Sequence, residues 1–227
     1  MNDVITIDGP AGSGKSTVSR ALAKRINYIY LDTGAMYRAV ALVAKRNGIS
    51  IEDGKRLGEL CKTLDLRFNT NEDPPRLFLG KEDISGAIRS PEMDMLSSAV
   101  SAVREVRDAM TQLQRKMAKG CSVVAEGRDM GTVVFPEAQH KFFLTASPEV
   151  KADRRYRERI GQGESVSREH VETELKKRDH QDITRSVAPL RPAKGVKVID
   201  SSTLTVEEVV KEVLIHINEK RNPAEFL

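Results

Sequence analysis

The chain has 227 residues, 39% of them hydrophobic, and a formal net charge of +4 at pH 7. That length suits a single α/β domain that carries an insert. The small positive excess suits an anionic small substrate as well as nucleic acid. An aromatic platform for single strands is poorly supplied, because the chain has no Trp, six Phe and four Tyr. No segment approaches the length of a membrane span.

The two cysteines, Cys61 and Cys121, stand apart and form no C-x-x-C pair. This usage is typical of a reduced cytoplasmic protein, and we expect both residues to be small core residues. The histidines show no metal-ligand spacing, and no signal peptide precedes the first predicted strand. The sequence therefore predicts a cytoplasmic protein without a membrane partner.

The first predicted element is a buried strand, because residues Val4 to Ile7 form a β-branched run. Residues 17–26 predict a helix, with apolar side chains at helical spacing. Between them, Gly9-Pro-Ala-Gly-Ser-Gly-Lys-Ser-Thr17 satisfies every fixed position of the Walker A pattern, G-x-x-x-x-G-K-[ST]. A glycine turn ahead of a helix is the alternative, but strand, glycine loop and helix in this order are the setting that the motif requires.

Phosphate binding explains the composition of this loop. Its glycines permit conformations that turn several amide N–H groups toward one point, and the helix that begins near Lys15 adds its positive end. Lys15 can reach the β- and γ-phosphates of a nucleoside triphosphate, and the Ser16 hydroxyl can bind Mg²⁺, the expected cofactor. The residues predicted to bind the triphosphate are Gly9, Pro10, Ala11, Gly12, Ser13, Gly14, Lys15, Ser16 and Thr17.

A second candidate segment, Asp32-Thr-Gly-Ala-Met-Tyr-Arg38, follows a short apolar run at 28–31. A strand there would place the segment at the carboxyl edge of the sheet, where α/β folds bind ligands. Arg38 could then pair with a phosphate through two hydrogen bonds. A plain helix start, capped by Asp32 or Thr33, is the alternative.

Helices are predicted over 36–47, with Gly48 as a stop, and over 54–64. The pattern then changes to short strand-like pieces at 65–68, 76–79 and 81–84, separated by polar, proline and glycine residues. These pieces predict a small antiparallel insert inside an otherwise alternating chain.

Helices return over 91–103 and 104–117, and strands are predicted at 122–125, 141–144 and 196–199, with long charged helices between the last two. This alternation predicts a parallel sheet with helices on both faces. The chain closes with an amphipathic helix predicted over 205–220 and a frayed end over 222–227.

Three polar clusters occur in this second half. The first, Glu126-Gly-Arg-Asp129, ends a predicted strand, and a solvated turn is its alternative. The second is an arginine series from Arg154 to Arg159 ahead of Gly161-Gln-Gly163, which could be surface charge or a mobile lid over a transferring phosphoryl group. The third has Arg178 and Asp182 one helical turn apart, which could equally be a helical salt bridge.

These clusters, in this order, resemble the bacterial-type cytidylate kinases from Val4 to the last helix. The resemblance rests on the segment 32–38, on Gly127-Arg-Asp-Met-Gly-Thr-Val-Val-Phe-Pro136, and on the run from Arg178 to Leu190. It implies a single P-loop NTPase domain over 1–227, a three-layer α/β fold. Within that domain it implies an acceptor-binding insert near 61–97 and a mobile lid near 152–163.

The resemblance also implies transfer of the γ-phosphoryl group of ATP to CMP or dCMP, a step of pyrimidine nucleotide metabolism. Ser98, Arg107 and Asp129 would face the cytosine. The residues expected around CMP are Thr33, Tyr37, Arg38, Ser98, Arg107, Arg128, Asp129, Arg178, Asp182 and Arg185. The residues expected to act on the transferring group are Lys15, Arg128, Arg154, Arg155 and Arg185, of which Arg154 and Arg155 would belong to the lid.

The chemistry of this expected reaction requires no strong general base. The second pKa of a phosphate monoester is about 6, so the acceptor oxygen is largely ionised at neutral pH. The protein must instead align and neutralise two polyanions, which suits many arginines. The Asp129 carboxylate can accept from the 4-amino group of cytosine, whereas uracil presents a carbonyl there, so CMP and dCMP are expected to outrank UMP. Whether Glu126 or Asp129 lies nearer the metal stays open.

Three alternatives are still open from sequence. One is a kinase for UMP, AMP or a non-nucleotide alcohol. Another is a GTPase-type switch, which would want an N-K-x-D motif that the chain lacks. The third is a nucleic-acid-binding NTPase, which the small net charge disfavours. A monomer is expected because no predicted helix shows a long second apolar face, and the expected partners are ATP and CMP or dCMP, without nucleic acid.

Overall fold

The computed structural model describes residues 3–70 and 72–221. Its central sheet has five parallel strands in the order β2-β6-β1-β7-β8. The parallel sheet predicted from the alternation of elements is confirmed. The frayed end predicted over 222–227 lies outside the described residues. The strands of this sheet are, in chain order, β1 Val4–Asp8, β2 Ile29–Asp32, β6 Val123–Gly127, β7 His140–Thr145 and β8 Lys197–Asp200.

Helices cover both faces of this sheet. Consecutive strand residues point to opposite faces, so Tyr30 and Val124 pack against α1 and α8, while Leu31 and Ala125 pack against α2, α3 and α5. The result is the three-layer α/β arrangement that the sequence predicted. The helices are α1 Lys15–Ile26, α2 Thr33–Arg46, α3 Gly54–Thr63, α4 Pro91–Val100, α5 Arg104–Ala118, α6 Pro148–Gly161, α7 Arg168–Thr184 and α8 Val206–Arg221, with a π-helical turn at Met130–Val134.

The small insert forms as predicted. Its three strands, β3 Leu66–Asn69, β4 Arg76–Leu79 and β5 Glu82–Asp83, pair antiparallel in chain order. Leu66, Leu77 and Ile84 are buried and belong to the same apolar cluster as α2 and α5. Because the insert shares that core, it is packed against the main sheet's helical layer.

The helix predicted over 91–103 ends three residues early. Helix α4 stops at Val100, and Val103 adopts an extended conformation ahead of α5. The Arg107 guanidinium donates to the Ser101 carbonyl oxygen at 3.0 Å, and the Ser101 hydroxyl donates to the Ser98 carbonyl at 2.8 Å. Side chains three and six residues away thus take up backbone carbonyl groups that a continuous helix would use internally.

The two cysteines differ in burial. Cys61 lies in the core, as predicted, and burial raises the pKa of its thiol to about 12. Cys121 is only half-buried in the turn before β6, so the expectation that it is a core residue is wrong. Within the described part of the chain, no helix combines the length and the apolar character that a membrane crossing requires.

Candidate active site

The Walker segment forms the loop between β1 and α1. Gly12 and Gly14 have φ angles of 74° and 82°, in the left-handed region that favours glycine. The Lys15 side chain folds back over the loop, and its Nζ donates to the Pro10 carbonyl oxygen at 3.0 Å. This is a loop wrapped around its own lysine at a helix N-terminus, which is the arrangement that binds phosphate groups.

One cleft of about 640 Å³ opens from this loop and runs along the carboxyl edge of the sheet toward α5 and α7. All of the residues predicted to bind ATP phosphates or CMP line it, except Gly9 and Pro10, which lie buried at the start of the loop. Segments far apart in sequence therefore meet in one place. Asp32 also caps α2, because its carboxylate accepts from the Ala35 N–H at 2.8 Å. The segment 32–38 therefore starts a helix and also contributes to the cleft.

Glu126 is the acid that lies beside the Walker helix. The Ser16 hydroxyl donates to Glu126 Oε1 at 2.9 Å, and Asp32 is the register neighbour of Glu126 across β2 and β6. Burial, together with the nearby Asp32 charge, raises the pKa of Glu126 to about 7. Asp129 is held elsewhere, so of the two acids left open by the sequence it is Glu126 that adjoins Ser16.

Asp129 forms a buried ion pair with Arg107 at the other end of the cleft. The second Asp129 oxygen lies 3.9 Å from the Arg185 guanidinium. The Arg107 guanidinium also lies over the Tyr37 ring, 5.4 Å from its centroid. This end of the cleft thus offers a carboxylate and guanidinium groups in fixed positions, which suits recognition of a small polar ring.

Asp94 on α4 gathers three arginines that the sequence assigned to separate segments. Its carboxylate oxygens lie 3.3 Å from Arg38 Nε and 3.7 Å from Arg178 Nη1, and it pairs with Arg155 as well. Burial acts to raise the pKa of Asp94, but the three guanidinium groups hold it below its usual value. Asp94 carries no distinguishing signal in the sequence, because an acid in the first turn of a helix is ordinary.

Asp182 pairs with Arg128 and not with Arg178. Arg128 Nε lies 2.8 Å from Asp182 Oδ2, while Arg185 and the Ser98 hydroxyl approach the other oxygen at 3.5 and 3.4 Å. The helical salt bridge that was the alternative for this segment is therefore not among the ion pairs of the described residues. Asp182 instead connects α7 to the turn after β6.

The arginine series is divided by the helical period of α6. Arg154 donates to the Ser201 hydroxyl and carbonyl at 2.9 and 2.7 Å and faces the cleft, as does Arg155. Arg159 points away and pairs with Glu164 and Glu174. Residues 152–161 of the predicted lid are thus helical, and only part of the series can meet a ligand.

Comparison with known proteins decides between the classes that the sequence left open. A model of the cytidylate kinase family matches residues 5–219. The chain belongs to that family. The activity of this family is the ATP-dependent phosphorylation of CMP and dCMP, and the alternatives of a GTPase-type switch and a nucleic-acid-binding NTPase are set aside.

Individual relatives agree with the family match. The chain is 49% identical to a cytidylate kinase of Caldanaerobacter subterraneus subsp. tengcongensis over 209 residues, covering 92% of both chains. It is 48% identical to a cytidylate kinase of Geobacter sp. strain M21 over 208 residues, covering 92% of this chain and 89% of that one. A crystal structure of an uncharacterized protein from Eubacterium ventriosum has a TM-score of 0.53 at 14% identity, covering 96% and 99%, and shows similarity of fold alone.

The electrostatics of the cleft in this cytidylate kinase family member favour anions. Burial and the nearby Arg128 charge lower the pKa of Lys15 to about 7. Burial lowers the pKa of Arg178 to about 10, and Arg128 acts in the same direction. Burial is the main cause of both shifts and neighbouring positive charge adds to it, so a bound polyanion would favour the charged forms.

Asp8 is a residue that sequence analysis missed. Its two carboxylate oxygens accept from the Met130 and Gly131 N–H groups, each at 2.8 Å, and so hold the turn that carries Arg128 and Asp129. The signal was present, because an acid ends an otherwise β-branched strand directly before the first Walker glycine. Burial raises the pKa of Asp8 to about 7, against the effect of these hydrogen bonds.

The Asp8 shift predicts a pH dependence of stability. The ordinary pKa of an Asp carboxyl is 3.8, and the pKa of Asp8 in the folded protein is about 7. Between these two pH values Asp8 stays protonated in the folded protein but ionises on unfolding. The unfolded state then binds fewer protons, so stability falls as pH rises. The free energy of unfolding of the wild type should therefore fall relative to that of Asp8→Asn, by up to about 1.4 kcal/mol per pH unit. Urea unfolding at pH 5, 6, 7 and 8 measures this difference.

The matched control is Asp65→Asn, which changes an exposed carboxylate. Its unfolding free energy should stay parallel to that of the wild type over the same pH range. A constant difference between wild type and Asp8→Asn would contradict the buried, protonated carboxyl.

Proposed function

We propose that ATP and CMP or dCMP bind in this one cleft, with the ATP phosphates on the loop 9–17 and the cytosine beside Asp129 and Arg107. The observation that carries the assignment is that the Walker loop and the Asp129–Arg107 ion pair open onto the same cleft of about 640 Å³. Between them lie arginines that suit an acceptor phosphate, Arg38, Arg128 and Arg178.

In the proposed reaction, an oxygen of the CMP phosphate attacks the γ-phosphorus of ATP. The bond from that phosphorus to the β–γ bridging oxygen breaks, and ADP leaves with the bonding electron pair. No side chain needs to remove a proton, since the attacking phosphate is already largely ionised. The work left to the protein is alignment and neutralisation of charge. Lys15, Arg128, Arg154, Arg155 and Arg185 are the candidates for that work.

The proposed acceptor contacts follow from the positions of the polar groups. Thr33, whose hydroxyl donates to the Glu126 carbonyl at 2.6 Å, and Tyr37 and Arg38 lie along the wall formed by the first turns of α2. Arg178 and Asp182 enter from α7 and suit the phosphate and sugar. The insert at 61–97 closes one side of the acceptor region in this proposal, and the segment 152–163 acts as the lid.

Mg²⁺ fits the oxygen-rich corner beside the Walker helix. The Ser16 hydroxyl and the Glu126 carboxylate lie 2.9 Å apart, with Asp32 next to Glu126 in register. Mg²⁺ prefers hard oxygen ligands and usually takes one or two from the protein, with the rest from phosphates and water. Ser16 would hold the ion, with Glu126 and Asp32 behind it, and the ion would neutralise charge on the ATP phosphates.

Base selection in this proposal depends on Asp129. Its ion pair with Arg107 is buried, with 2% and 3% of the two side chains exposed, so neither group can turn away to suit a different base. A carboxylate facing the 4-carbonyl of uracil would leave two acceptors opposed, at a cost of about 1–3 kcal/mol.

A cytoplasmic location and a monomeric state stay predictions from the sequence.

The first test is an ADP-release assay with Mg·ATP and a panel of CMP, dCMP, UMP, AMP and GMP. CMP and dCMP should be the preferred acceptors. In Asp129→Asn, the ratio of kcat/KM for CMP to that for UMP should fall about tenfold or more, because the amide can donate to the uracil carbonyl.

Asp108→Asn is the control, since this exposed acid lies on the same helix as Arg107. Its acceptor preference should match that of the wild type. Equal use of CMP and UMP by the wild type would overturn the assignment of Asp129, and a melting curve on each variant shows that it is folded.

The proposed acceptor role of Arg38 predicts a one-sided loss. Arg38→Ala should lower kcat/KM for CMP by about 10- to 100-fold, the effect of losing one charge-assisted hydrogen bond to a phosphate. Binding of the analogue AMP-PNP, measured by calorimetry, should change by less than about threefold.

The control for this variant is Arg46→Ala at the far end of α2, where the side chain pairs with Glu82 at the surface. It should leave both quantities unchanged. Comparable losses in CMP use and AMP-PNP binding on Arg38→Ala would refute its place at the acceptor phosphate.

The proposed metal role of Ser16 predicts a changed requirement for magnesium. Ser16→Ala should raise the Mg²⁺ concentration that gives half the maximal rate by several-fold, since one oxygen ligand is lost. A rate titration with Mg²⁺ at fixed ATP measures it. Ser19→Ala, which removes a buried hydroxyl one turn further along the same helix, should leave the titration unchanged; equal shifts in the two variants would remove Ser16 from the metal site.

A further inference from the structure

Asp179 on α7 contacts the Walker loop directly, and neither the sequence motifs nor the proposed reaction assigns it a role. Its Oδ1 accepts from the Ala11 N–H at 3.0 Å. Its Oδ2 accepts from Lys151 Nζ of α6 at 2.7 Å. Only 13% of the Asp179 side chain is exposed. A largely buried carboxylate thus bonds to the backbone of the loop that binds phosphates.

The loop rests on α6 and α7 through packing as well. Ala11 belongs to a small apolar cluster with Ala152, Val171 and Leu175 of those two helices. The backbone of α6 approaches so closely that a Cβ on Gly12 would lie 2.9 Å from the Lys151 carbonyl oxygen. The hydrogen bond from Ala11 to Asp179 therefore lies in a tight, mostly dry contact, where such a bond constrains backbone position.

The charges around Asp179 also affect the electrostatic environment of the Walker loop. A carboxylate next to a phosphate-binding loop would repel ATP, but Lys151 pairs with it and offsets that repulsion. Asp179 also raises the pKa of Lys15 in opposition to burial and to Arg128, so it supports the charged form of the Walker lysine. The residue beside it, Arg178, and Asp182 one turn on both line the cleft.

We propose that Asp179 is a positioning residue that holds the Walker loop in its phosphate-binding conformation by accepting the Ala11 N–H, with Lys151 neutralising it. This inference rests on the proposed binding of ATP phosphates to the loop. It differs from a purely structural ion pair between α6 and α7, in which the Lys151 contact alone would matter and the loop would not depend on Asp179.

The test compares Asp179→Ala with Asp179→Asn. Alanine removes both contacts, while the amide oxygen of asparagine can still accept from the Ala11 N–H and only the ion pair is lost. Calorimetric titrations with Mg·AMP-PNP and, separately, with CMP give the two dissociation constants. Asp179→Ala should weaken AMP-PNP binding about tenfold and change CMP binding by less than about threefold, and Asp179→Asn should retain most of the AMP-PNP affinity.

Glu172→Ala is the matched control, because it removes an acid of α7 that pairs with Lys176 and Arg168 away from the cleft. It should bind AMP-PNP as the wild type does. Three results would each overturn the proposal: AMP-PNP binding by Asp179→Ala within twofold of wild type, equal losses in the alanine and asparagine variants, or an equal loss of CMP affinity. A wild type that binds AMP-PNP but fails to phosphorylate CMP would refute the proposed function. The comparison of AMP-PNP binding between the Asp179 variants would still be interpretable in that case.

Discussion

Crowding of positive charge into one cleft is the constraint on which the rest of this structure depends. Among the described residues, ten Lys and Arg side chains line the cleft against six Asp and Glu side chains, an excess of four. Buried cations without partners are costly, so acids from separate elements must meet them: Asp94, Asp129 and Asp182. Burial, together with the nearby Arg128 charge, lowers the pKa of Lys15, and the remaining excess of positive charge suits a polyanionic ligand.

The parallel sheet makes this concentration of charge possible. The carboxyl ends of β1, β2 and β6 lie side by side and deliver Asp8, Asp32 and Glu126 to one edge. Each acid then has a different partner: backbone N–H groups for Asp8, a helix N-terminus for Asp32, and the Ser16 hydroxyl for Glu126. The three carboxylates at this edge thus have three different partners, and the contacts of Asp8 and Asp32 fix two of the segments that border the cleft.

The two long helices after β7 connect the two ends of the cleft. Helix α6 supplies Arg154 and Arg155 and packs its backbone against Gly12, while α7 supplies Arg178, Asp179 and Asp182. Through these contacts the Walker loop and the rest of the cleft are supported by the same two helices. A change in the position of α7 would therefore move polar groups both at the Walker loop and along the rest of the cleft.

Sequence alone determined the class of this protein and predicted its candidate site residues. The Walker loop, the alternation of strands and helices and the small insert follow from local patterns, because glycine spacing and hydrophobic period report on backbone geometry over a few residues. The candidate site residues were found by motif and resemblance, and nearly all of them line the cleft.

Only the tertiary structure decided which partners the charged side chains have. Asp182 bonds Arg128 and not Arg178, Arg159 turns away while Arg154 and Arg155 face inward, and Asp8, Asp94 and Asp179 emerge as supports. The orientation of Arg159 follows the helical period of α6, but the other choices depend on contacts between residues tens of positions apart. A charged side chain looks the same in a sequence whether water or a buried partner will neutralise it.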